Sequence, residues 1–377
     1  MIWIVFLTLL VAGALSPMYV YPSGQPQPTD YVFAAMVFLV YFHSIATSRA
    51  LPLSKLPLCW VGLICWIVLH CLVSSLLLQS SEFYRVIAFW VYNAAVSSCF
   101  LYLINCEDKG KAFIERAISL GLMVSGVGVF LSLSEGGRVT GFFNNPNQLA
   151  FYSLLGVCSM LMLNRMSFNI KPLTIMALLS GVAGIFAASS LAAIAGFLLV
   201  VLGCLIANLH PKKLFKFMVL IVLFFAAASL FDDKILSGIL ENVYDRSLVA
   251  GEKFDSIGKE RNYDRIFTFP EYVFLGAGEG HLERFYPYDK LEIHSSFGNL
   301  LFAYGIPGIG LFLLLVFSLL RNAPLPVWLV VSGPMVYSLT HMGLRTTLFW
   351  IFLAIVWSEY GQEKTHVHNY RVLGESP

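Results

Sequence analysis

Charge is what this chain has least of. Only 12% of its 377 residues are Asp, Glu, Lys or Arg, against 58% hydrophobic. At a mean hydropathy of +0.76 there is too little polar surface to cover a water-soluble globule. The 24 Lys and Arg nearly balance the 22 Asp and Glu, and they are scattered. No nucleic-acid footprint or polybasic tail can be built from them. Seven cysteines (Cys59, Cys65, Cys71, Cys99, Cys106, Cys158, Cys204) lie in or beside apolar runs. Their spacing makes neither a zinc knuckle nor a paired framework, so no disulfide and no metal are expected. Internal repeats, low-complexity tracts and soluble domains are missing too. What is left is an all-α integral membrane protein, one polytopic domain over residues 1–377.

Apolar stretches long enough to cross a bilayer centre near residues 11, 38, 67, 93, 122, 156, 180, 199, 223, 308, 332 and 353, which predicts about twelve transmembrane helices. The first, Met1 to Val20, resembles a signal peptide with Ala12-x-Ala14 behind its apolar core. It lacks the basic n-region, so a retained helix is expected. Thirteen basic residues fall in alternate connections: Arg49, Lys55, Lys109, Lys111, Arg116, Arg165, Lys171, Lys212, Lys213, Lys216, Arg321, Lys364 and Arg371. The positive-inside rule makes those segments, and both termini, cytoplasmic. The short opposite connections carry only Arg85, Arg138 and Arg345. Residues 232–293 form one long outer loop between spans 9 and 10. Within it Ile235, Leu236, Ile239, Leu240 and Val243 have helical spacing, which fits an amphipathic helix on the membrane or a cap on the bundle.

Three stretches on the predicted outer face carry groups fit for chemistry. In "GRVTGFFNNPNQLAFYSLLGV", Asn145-Pro146 reads as an N-cap with proline at the first helical position. That helix end is an anion site, to which Arg138, Asn145 and Asn147 add donors. In "RNYDRIFTFPEYVFLGAGEG", Arg261 and Arg265 precede a turn where Gly276, Gly278 and Gly280 let backbone N–H groups approach an anion. The GK[ST] of a P-loop is missing. In "EIHSSFGNLLFAYGIPGIGLF", His294 stands at a span mouth with Ser295 as the helix cap, and a neutral imidazole there can accept a proton. Gly305, Gly308 and Gly310 read as small-residue packing positions. Among the other histidines, His43 and His70 read as interhelical donors, and His281 and His341 as outer-face bystanders or supporting residues. Arg138, Arg261, Arg265, His294 and Arg345 all map to one face, where one cavity could hold an anion and a base.

On "TGFFNNPNQLA", "GAGEG" and "HSSFGNLLFAYGIPGIG", with a long outer loop between the first and the others, the sequence resembles the O-antigen ligase and Wzy-type polymerase superfamily of bacterial inner-membrane glycosyltransferases. The resemblance implies transfer of a glycan from an undecaprenyl-pyrophosphate carrier to an acceptor hydroxyl at the periplasmic face, without metal, cofactor or nucleotide sugar. It implies His294 as the base and Arg261 or Arg265 as the pyrophosphate clamp. A chain-length regulator is an expected further partner, beside the bilayer and the lipid-linked glycan; nucleic acid is not. One position departs from the pattern: Leu191 in "AASSLAAIAG" stands where many relatives carry arginine, leaving Arg138 or Arg345 to substitute or the second clamp absent. The expected activity is repeat-unit polymerisation. The alternatives are ligation of finished O-antigen to lipid A core and, from another class, a lipid-linked oligosaccharide flippase, whose midplane charges and repeated halves are not seen.

Overall fold

The computed structural model describes residues 1–133, 137–167, 171–208, 241–245, 248, 261–288 and 292–361. Among the described residues there are eleven principal helices: α1 (Ile2–Leu15), α2 (Pro28–Ala46), α3 (Leu58–Leu78), α4 (Glu82–Cys106), α5 (Gly110–Ser132), α6 (Pro146–Leu163), α7 (Pro172–Ala187), α8 (Leu191–Ala207), α9 (Ser296–Leu320), α10 (Leu325–Thr340) and α11 (Thr347–Val356). No strand occurs among the described residues. Six of the helices, α2 to α6 and α9, are long and apolar enough to cross a membrane, and the other five are shorter apolar helices. The protein is an all-α membrane protein. Eleven of the twelve centres read from hydropathy lie inside these helices. The twelfth, near residue 223, and residues 235–240 of the amphipathic pattern lie outside the described residues.

Local chemistry starts the helices where the sequence predicts. The Asn145 side chain accepts from the Gln148 N–H at 3.0 Å and Pro146 opens α6, a cap worth about 1 kcal/mol. Ser295 does the same for α9, accepting from the Gly298 N–H at 3.2 Å. At α2, Gln27 and Asp30 form a capping box, with Gln27 N–H donating to Asp30 Oδ2 at 2.7 Å.

Bundle packing follows from glycine. At the α8–α10 crossing a Cβ on Gly196 would lie 2.5 Å from the Gly333 carbonyl, and one on Gly333 would lie 2.7 Å from the Gly196 carbonyl. The two backbones touch, the close approach that membrane helices use in place of hydrophobic drive. Helix α6 and residues Phe349–Val356 of α11 are buried nearly throughout, whereas Leu58, Leu76, Leu77 and Phe38 on α3 and α2 point outward. At the end of the bundle where α2, α4 and α6 finish, carboxylates gather the basic residues. Glu107 meets His43 and Arg49, Glu359 meets Lys111 and Arg165, and Lys171 lies 3.8 Å from Glu115. The opposite end holds the cavity.

Candidate functional site

The site rests on a break in α9. Gly305 has φ +67° and ψ −169° inside that helix, and Pro307 follows. A proline has no N–H, and the break removes further i→i−4 donors, so the carbonyls of the preceding turn are freed. Two of them are taken by the "GAGEG" segment: Ala277 N–H donates to Phe302 O and Gly278 N–H to Ala303 O, both at 2.8 Å. Only glycine permits this approach. A Cβ on Gly276, at φ +99°, would sit 2.4 Å from the Ala303 carbonyl, and one on Gly305 would sit 2.4 Å from the Phe274 carbonyl. Docking the segment delivers the next residue, Glu279, into the bundle.

There Glu279 meets Arg345. The guanidinium donates from Nε (3.1 Å) and Nη2 (2.5 Å) to Glu279 Oε1, and from Nη2 to Glu292 Oε1 at 2.8 Å. Its Nη1 lies 2.5 Å from Glu292 Oε2. Glu279 also accepts from the Tyr304 hydroxyl at 2.8 Å and, at the limit of hydrogen-bond distance, from Trp90 Nε1 at 3.5 Å. Burial works to raise the Glu279 pKa, but Arg345 and these donors hold it below the ordinary carboxylate value. Burial likewise opposes the charge on Arg345, and the two carboxylates outweigh it and raise its pKa. The group is an ionic brace in which one guanidinium is shared by two carboxylates.

A cavity of 870 Å³ opens beside this brace, and Arg85, Asn147, Arg261, His294, His341 and Arg345 are among the residues lining it. Arg85 stands one helical turn before Phe89 and two before Tyr92, so these three share the face of α4 turned to the cavity. The guanidinium groups of Arg85 and Arg261 have no hydrogen bond or ion pair among the described residues. They are cavity cations that no carboxylate among the described residues neutralises.

The sequence-predicted residues divide accordingly. Arg261, His294, Arg345, Asn145 and Asn147 are brought to one cavity. Arg345 reaches it already forked between two carboxylates, not as an open clamp. Arg265 does not line it. It is buried to 1% exposure, its guanidinium 5.0 to 5.7 Å from the ring centres of Tyr288, Phe285 and Phe302, a cation–π cluster that holds the 261–288 segment on α9. Gly276 and Gly278 are not an anion cradle, because their N–H groups are occupied by Tyr272 O and Ala303 O. Arg138 ties the turn before α6 to the α7–α8 junction, donating to Ala188 O at 3.0 Å and Asn147 Oδ1 at 2.8 Å. Of the packing glycines, Gly308 is tight against Tyr304, Gly305 is the break itself, and Gly310 faces open space.

Sequence reasoning missed Glu279, Glu292, Arg85 and the role of His341. Arg85 carries a signal, being one of three basic residues in the short connections that the sequence predicts to lie outside; Glu279 lies inside a quoted motif, but its partner is 66 positions away. The two cavity histidines differ in setting. Desolvation and the Arg261 charge hold the His294 pKa below 6.5, while Glu292 pulls the other way. The His294 backbone N–H donates to Arg261 O at 3.0 Å, which ties the two residues together. Burial, then the Arg261 charge, push His341 down to about 3.

No protein-family model matches the chain, and no curated protein matches it significantly.

Proposed function

We propose that the protein is a membrane glycosyltransferase that takes its glycan from a lipid-pyrophosphate carrier. More narrowly, it polymerises undecaprenyl-pyrophosphate-linked oligosaccharide repeat units at the periplasmic face of a bacterial inner membrane, with twelve spans, both termini cytoplasmic and the cavity outward. The supporting observation is convergence: Arg261, His294, Asn147 and Arg345, from distant parts of the chain, share one cavity with Arg85. In this reading the bond from the sugar anomeric carbon to the pyrophosphate oxygen breaks, and that oxygen keeps the electron pair. Arg261 and Arg85 offset its charge, fixed donors being most effective where charge develops. The acceptor hydroxyl oxygen bonds to the anomeric carbon, and its proton passes to the neutral His294 imidazole and then to solvent.

Deletion of the gene separates this reading from its rivals. Loss of a polymerase collapses the ladder of glycan lengths to a single repeat unit that still reaches its final acceptor. Full-length chains accumulating on the carrier would instead identify a ligase, and repeat units confined to the inner leaflet would identify a flippase. Unchanged glycans would remove the whole reading.

A further inference from the structure

His341 ends α10 at the cavity wall, and its ring is fixed from three sides. It is the last of three stacked rings: Phe151 and Tyr337 have centroids 4.2 Å apart at 13°, and Tyr337 and His341 4.5 Å apart at 19°. The column is pinned where the Tyr337 hydroxyl donates to Asn147 O at 2.9 Å. The backbone beneath the ring is held as well, because His341 O accepts from both the backbone N–H and the hydroxyl of Ser296, at 3.1 and 3.0 Å.

The third restraint decides where the ring proton sits. Nδ1 lies 2.9 Å from Thr340 Oγ1, and that hydroxyl lies 3.4 Å from Tyr337 O, with which the ring also hydrogen-bonds. A carbonyl can only accept, so the ring N–H is assigned to Nδ1, the nitrogen on that side. Nε2 is then the lone-pair nitrogen of a stacked ring, with no hydrogen-bond partner among the described residues. Burial and the charge of Arg261, with Arg138 adding to it, keep the imidazole neutral. Such an atom disfavours phosphate oxygens, which offer only lone pairs, and binds neutral O–H or N–H donors. Arg261 and Arg85 supply the complementary preference for the anion.

We infer that His341 is a specificity-determining residue that accepts a hydrogen bond through Nε2 from a neutral sugar O–H or N–H of the bound glycan. The inference rests on the proposed glycosyl transfer and names the chemistry by which the same cavity sorts sugar from pyrophosphate. His294 takes the reacting proton; His341 holds a donor that does not react. A bound glycan lacking that donor would leave Nε2 unpaired, the arrangement by which a polar site rejects an analogue.

The test uses full-length protein in detergent, with lipid-linked repeat unit purified from the deletion strain as probe. His341→Phe preserves the ring column and removes the acceptor. It is expected to accumulate and unfold like wild type while its KM for the repeat unit rises about tenfold with kcat little changed, the size of one lost hydrogen bond. His341→Gln, which restores an acceptor without the stack, is expected to recover part of the affinity. A wild-type KM in His341→Phe would overturn the inference. So would equal losses of affinity and thermal stability in both variants, which mark a structural role. A deletion strain with unchanged glycans would instead remove glycosyl transfer itself, and this inference with it.

Discussion

Replacing Glu279 by alanine removes the carboxylate on which Arg345, Tyr304 and Trp90 converge. Deleting one partner of a buried ion pair costs about 3 to 5 kcal/mol. The Arg345 side chain, however, keeps 36% of its surface open to the cavity, and Glu292 remains 2.5 Å from its Nη1. Solvent and the second carboxylate recover part of the loss, so about 2 to 3 kcal/mol is expected. In a detergent-solubilised thermal unfolding assay that is a drop of about 3 to 6 °C, given the shallow dependence of Tm on free energy in a large chain. Glu279→Gln should fall between wild type and alanine, since an amide oxygen still accepts from Tyr304 but carries no charge. The decisive measurement is the cycle of Glu279→Gln, Arg345→Gln and the double variant, where a coupling of about 1 to 2 kcal/mol is expected. Additivity within about 0.5 kcal/mol would refute the brace, because it would mean that solvent already screens the pair.

Further outcomes follow from the site. His294→Ala should lower glycan transfer about 100 to 10,000-fold with normal accumulation, as removal of a general base does; the wild-type acid limb should lie below pH 6.5, because the required neutral imidazole is lost as pH falls through a lowered pKa, and Arg261→Ala should move the residual limb upward, by withdrawing a charge that holds it down. A limb unmoved by Arg261→Ala would separate the two residues. Gly276→Ala, whose Cβ would meet the Ala303 carbonyl at 2.4 Å, should undock the 276–280 segment and lower activity and thermal stability together, so a variant with both intact would show that the break in α9 does not need this contact.

What the sequence disclosed, and what it withheld, divides by range. The caps at Asn145 and Ser295 were legible because the groups that satisfy each other are three residues apart, and spans were legible because a bilayer imposes length and hydropathy. Arg265 was misread as a clamp since nothing local announces that Phe285, Tyr288 and Phe302 will enclose it. Arg345 was read as open because its carboxylate partners are 66 and 53 positions away. Gly305 was read as a packing position: periodicity registers a small residue but not that the helix breaks there. The part His341 plays is not legible because its tautomer depends on Thr340 and Tyr337 and its plane on a ring column that runs from α6 through its own helix, α10.

The broken turn of α9 also sets an order of construction. Residues 261–288 are synthesised before the helix that supplies the carbonyls of Phe302 and Ala303, so the Ala277 and Gly278 N–H groups stay solvated until residues 296–307 have been made and have folded. Arg345, the cation that balances Glu279, arrives later still. The cavity wall is therefore finished last, and a nascent chain stalled before Arg345 would carry α1 to α10 and yet lack the cation that pairs with Glu279.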